Sequence, residues 1–168
     1  MSITDIIASL TCLATWIYMV LVAVTLWYIY QQLKAQKETH KLQSALTIFS
    51  ELYTEMARKA RKKVYKEVPA NIDDIDDEKL ESYLEIVQDA CFMYHRIGYL
   101  ISKGYIDSDT IITTHWRTVW RCWKKSEKLI EWARTKRDNQ NYLEYFKHIF
   151  DLSEAYRIES KLEEPKIY

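Results

Sequence analysis

From Ile6 to Tyr30 the chain reads IIASLTCLATWIYMVLVAVTLWYIY, without a charged side chain, a proline or a glycine. As a helix rising about 1.5 Å per residue, this run extends roughly 37 Å, more than the ~30 Å hydrocarbon core of a bilayer. A helix buried in a water-soluble protein normally keeps a polar face, and this one has none. A cleaved signal peptide would carry basic residues ahead of the run and a small-residue cleavage site behind it. Neither pattern flanks this segment. The run therefore predicts an uncleaved transmembrane helix over residues 6–30.

Flanking charge sets the expected orientation. MSITD precedes the run with one acid and no base, whereas QQLKAQKETHK follows it with Lys34, Lys37 and Lys41. Basic residues concentrate on the cytoplasmic side of membrane helices. Trp27, Tyr28 and Tyr30 lie at the same boundary, where amphipathic rings favour the interface. The expectation is a single-pass protein of the cell membrane, with residues 1–5 outside and the C-terminus inside. Ala8, Thr11, Cys12 and Thr15, continued by Met19, follow helical spacing and offer a mostly small face on which membrane helices can associate.

The remaining chain is polar but strongly patterned. It contains two glycines and two prolines, which predicts long helices joined by short connections. The 24 basic and 24 acidic residues balance, yet they are segregated. Residues 31–67 have five excess positive charges, 68–94 seven negative, 95–137 six positive and 138–168 three negative. Alternating signs suit neighbouring helices of an antiparallel bundle. Cys12, Cys91 and Cys122 are too scattered for a disulfide framework or a zinc site.

Apolar spacing predicts four helices. The first follows a connector over 31–44 and ends before Pro69, with Ala45, Phe49, Leu52, Met56 and Ala60 inward, Tyr53 and Val64 beside them. The second begins near Asp76, with Leu80, Tyr83, Leu84, Val87, Cys91, Tyr94, Ile97 and Ile101 as its inner stripe, and ends at Lys103-Gly104. The third, capped by Asp107 or Ser108, runs to about Arg137 with Trp116, Val119, Trp120, Trp123 and Ile130 on one face. The last occupies about 141–159 and buries Tyr142, Phe146, Ile149, Phe150 and Tyr156. The expected fold is all-α: a transmembrane helix, a cytoplasmic antiparallel bundle of about four helices over 45–158, and a loose charged tail over 159–168.

The runs ALTIFSELY (Ala45–Tyr53), ARKKVYKE (Ala60–Glu67) and GYLISKGYI (Gly98–Ile106), with the tryptophan helix after them, carry a resemblance. The chain resembles an uncharacterised family of small prokaryotic proteins that have one membrane helix and a cytoplasmic helical domain. That resemblance spans most of the chain and implies the architecture. It implies no activity.

The basic residues nominate a ligand or partner surface: Arg117, Arg121, Lys124, Lys125 and Lys128 with Trp132, and Arg58, Arg61 and Lys62 on the earlier helix. Cations with accessible rings can hold phosphates and stack on bases. At 100° per residue, however, Trp116, Trp120 and Trp123 fall on the core side, more than 100° from the cations. Core packing is the expected role of those rings. Glu127, on the tryptophan side, is expected to pair with Arg134 at the bundle edge. Glu144, His148 and Asp151 share a face opposite Phe146 and Ile149 and read as solvated surface rather than a metal site. The acidic run from Asp73 to Glu78 reads as a helix start and lacks a calcium loop's glycine. Neither a phosphate loop, nor a nucleophile with its base, nor a cofactor fingerprint appears.

The expectation is thus a non-enzymatic, membrane-tethered interaction or scaffold module, without cofactor or metal, whose partners are the bilayer and a protein or further copies of itself. The alternative is a nucleotide-gated membrane effector of a stress or antiphage response, with nucleotide or nucleic acid at the basic faces.

Overall fold

The structure, a computed structural model, describes residues 3–69 and 71–167, except the side chains of residues 5, 6, 8 and 9. Among these it is all-helical, with α1 at Ile3–Leu52, α2 at Glu55–Glu67, α3 at Asp77–Ser102, α4 at Ser108–Lys136 and α5 at Glu144–Glu159. The chain divides into two compact units, residues 1–40 and 41–168.

The first unit is helix alone. One helix near the N-terminus is long and apolar enough to cross a membrane, and none of its most apolar window is buried. Leu10, Trp16, Leu21, Leu26 and Trp27 all point outward. The hydroxyls of Thr11 and Thr15 donate back to the carbonyls of Ile7 and Thr11, each at 2.9 Å, so neither is left unsatisfied.

The second unit is a helical bundle. Packing pairs α3 with α5, α4 with α5, α2 with α3, α3 with α4, and α2 with α4. Its core holds the anticipated stripes of α3 and α4, with Phe146, Ile149 and Phe150 of α5 completing it. Trp123 is wedged between Phe146 and Phe150, at centroid distances of 5.1 and 5.5 Å. Opposite charge is used where α3 and α4 run side by side. Lys136 reaches Asp77 at 3.0 Å and Arg137 reaches Glu81 at 2.9 Å, joining the start of α3 to the end of α4.

Local chemistry explains most helix ends. Asp76 caps α3, its Oδ1 accepting from the Lys79 amide at 2.9 Å. Gly104, at φ +69°, closes α3 in a left-handed turn, with Tyr105 N–H donating to the Leu100 carbonyl and Gly104 N–H to that of Ile101. Asp138 and Lys161 take the same left-handed position after α4 and α5, at φ 47° and 54°, without glycine's freedom. Asp107 precedes α4 but makes no side-chain cap bond.

Two expectations about helix ends change. The helix expected to run on to Pro69 breaks at Tyr53 and Thr54. Thr54 Oγ1 donates to the Glu51 carbonyl and accepts from the Ala57 amide, which ends one helix and starts another. The break resets the helical phase, so Met56, expected inward, is 82% exposed, and Tyr53 is exposed as well. At the other end of the bundle, α5 begins at Glu144 rather than near Asn141. Asn139 and Asn141 instead shape a turn in which Tyr142 still packs against the core. Beyond α5, Leu162 packs against the core and Pro165 is buried. Apolar area that can still be hidden holds this start of the charged tail to the bundle.

Candidate functional site

The nominated basic residues do not form one open patch. On α2, Arg58 donates through Nε and Nη2 to the Tyr53 carbonyl, and Arg61 Nη2 donates to the Leu52 carbonyl at 2.9 Å. The last turn of α1 has no basic residue of its own, and these two arginines supply charge to its orphan carbonyls. Lys62 stays exposed. On α4, Arg117 lies 5.3 Å from the Trp116 ring, Lys124 bonds Glu127, and Lys128 reaches Asn71. Arg121 and Lys125 are half-buried. Trp132, the ring expected to be accessible, is half-buried with Lys136 4.7 Å above it.

Trp116, Trp120 and Trp123 are all buried, as their helical angle requires. Two of their three indole N–H groups meet carboxylates. Trp120 Nε1 donates to Glu154 at 2.7 Å and Trp123 Nε1 to Glu127 at 2.9 Å. Glu127 is therefore partnered by Trp123 and Lys124 rather than by Arg134, whose Nε donates to the Tyr142 carbonyl. The Arg157 guanidinium forks onto Glu154 and, with the Trp120 indole, holds that carboxyl below the usual carboxylate range. Glu144, His148 and Asp151 are exposed, and Lys147 pairs with Asp151. Of the anchor stripe, Thr11, Cys12, Thr15 and Met19 are exposed, and the side chain of Ala8 lies outside the described residues.

The structure assembles a polar cluster that periodicity could not find. Where α2, α3 and α4 meet, the Tyr65 hydroxyl lies 3.2 Å from Cys122 Sγ, and Ser126 Oγ donates to the Cys122 carbonyl at 2.6 Å. Cys91 and Tyr94 of α3 are buried close by, with Cys91 beside Ser126. Burial pushes the Cys122 thiol up to about 11 and raises Tyr65, Tyr94 and Cys91 as well. All four stay protonated at neutral pH, so none is an activated nucleophile.

His115 lies at the edge of the same region, its ring 5.5 Å from Phe49 and 5.4 Å from Tyr53. Burial, reinforced by Arg61, depresses its pKa and keeps the ring neutral. Its Nε2 is buried without a hydrogen-bond partner among the described residues. Cys91 was legible as an inward residue of its helix. Tyr65 carried no signal, because it becomes a partner of Cys122 only when α2 packs on α4.

Two concave surfaces flank α3. A cleft of about 630 Å³ lies against the turn before α5, bounded by Phe92, His95, Asn141 and Tyr142. A groove of about 240 Å³ runs between α2 and α3. Asp89 borders both.

No curated protein and no solved structure matches the chain. Residues 16–151 match the family described as Domain of unknown function (DUF4760), a span that takes in most of α1 and the bundle through α5. By that match the chain belongs to this family, whose description assigns no activity.

Proposed function

We propose that the chain is a membrane-tethered interaction module: α1 anchors it in the cell membrane, and the bundle engages a protein partner on the cytoplasmic side without chemistry of its own. The observation that carries this reading is the use of the bundle's reactive side chains. Its thiols and inner phenols are held protonated, Glu127 and Glu154 bond indoles, and Arg58 and Arg61 bind helix-end carbonyls. What remains outward is an apolar helix and a patterned bundle surface. Lys34, Lys37 and Lys41 following the apolar run support an outside N-terminus and an inside C-terminus.

The test is an affinity capture of the full chain from membranes in mild detergent, with a C-terminal reporter to read topology. A specific protein retained with the chain, and a reporter active only in the cytoplasm, are the expected results. A chain recovered in the soluble fraction, or alone from the membrane, would overturn the proposal. A thermal shift produced by one nucleotide from a panel would favour the gated effector instead.

A further inference from the structure

Resting on the reading of the chain as an interaction module, we infer that the groove between α2 and α3 receives one amphipathic helix of a partner protein, with acidic residues on the edge facing α2. The groove has an apolar floor. Met56, Ala57 and Ala60 of α2 face Ala90 and Met93 of α3 across it. The alanines keep the floor low enough for a helix to approach closely. Met56, 82% exposed, stands up at one end as an unbranched thioether that can adapt to another apolar surface. An apolar floor between two helices is the shape in which a third helix buries a stripe at spacings of three and four.

Charge selects the occupant. Lys59 and Lys63, one helical turn apart on α2, line the adjoining cleft, which shares Met56, Ala60 and Asp89 with the groove. Lys62, Lys63 and Lys66 have no acidic partner within ion-pair distance among the described residues, and Lys59 has only the exposed Glu55. Carboxylates four residues apart on the incoming helix match the Lys59–Lys63 spacing. Asp89 on the opposite wall favours a basic residue on the helix's other edge, which fixes its direction of approach. A lysine-edged helix would meet the unpaired Lys63 beside Lys59, and a second copy's α2 would bring the same charge.

The probe is a pair of synthetic amphipathic helices of about 16 residues, identical in their apolar stripe, one with a glutamate edge and one with a lysine edge. Each is titrated by fluorescence anisotropy against the full chain in neutral detergent. The glutamate-edged helix should bind at least tenfold more tightly than the lysine-edged one. Met56→Glu should weaken it by about tenfold, and Lys59→Glu/Lys63→Glu should reverse the preference between the two peptides. Reversal is a readout that an unfolded variant cannot give.

Equal binding of the two peptides, binding indifferent to Met56→Glu, or no binding at all would overturn the site. So would a dimer in detergent that Met56→Glu dissolves, since a second copy would then fill the groove. Membrane capture of a partner by wild type and Met56→Glu alike would remove this groove while leaving the interaction module standing. Failure of capture by both would remove the module itself.

Discussion

Helix α1 carries apolar residues on both sides of His40, and the pattern of their exposure differs. Before it, Leu10, Leu13, Leu21, Leu26 and Leu33 are all exposed, on every side of the helix. After it, exposure becomes periodic: Leu42 and Leu46 point outward, while Ala45, Ile48 and Leu52 are buried. Hydrogen bonding and helical geometry are the same in both stretches, so the difference lies in what the side chains need around them. Uniform apolarity calls for an apolar surround on every side, whereas periodic apolarity is satisfied by one protein face.

The contrast breaks most sharply under one substitution made twice. Leu52→Arg places a charge where leucine is 1% exposed. It should cost the bundle about 4 kcal/mol or more, read as lost cooperative melting of the detergent-solubilised chain, with membrane association unchanged. Leu21→Arg should do the reverse. It leaves the bundle's melting temperature unaltered and weakens membrane insertion by about 2.5–3.5 kcal/mol, read as the fraction recovered with membranes. Identical effects from the two variants would mean that the two stretches of α1 share one environment.

Inside the bundle, Gly98 shows what periodicity cannot report. A Cβ there would stand 2.0 Å from the Tyr145 carbonyl oxygen, because α3 and the start of α5 approach at backbone distance. Gly98→Ala should cost about 1–3 kcal/mol, measured by thermal denaturation. Nothing in the sequence marked it as a close contact, since Tyr145 comes from a helix far along the chain. The same holds for Tyr65 beside Cys122, a partnership to which neither residue's sequence neighbours point. Glu127 differs: the indole it meets lies one turn back on the same helix, in place of the expected Arg134 guanidinium.

Smaller effects sharpen the account of buried polar groups. His115 is neutral in the fold because burial and Arg61 lower its pKa. Below about pH 6.5, the ordinary imidazole value, the unfolded chain takes up a proton that the folded chain resists, so stability falls with pH. His115→Phe removes this term and should flatten part of the decline in melting temperature between neutral pH and the histidine range. His95, whose pKa is also lowered by burial, contributes in the same direction and should leave a residual slope. Thr54→Ala, which deletes the cap between α1 and α2, should cost about 1 kcal/mol by the same melting measurement.

Some of this protein was determined by order along the chain. A long uncharged run, stripes at spacings of three and four, an aspartate ahead of α3 and a glycine behind it specify local preferences, and local preferences survived folding. The tryptophans were readable as core for the same reason. What only the tertiary structure decided was the spending of polar groups: which arginine closes the end of α1, which carboxylate meets Trp120, and which thiol lies under which phenol. Burial makes an unpaired polar atom costly, and the partner that relieves it is whatever the packing of distant helices brings within reach.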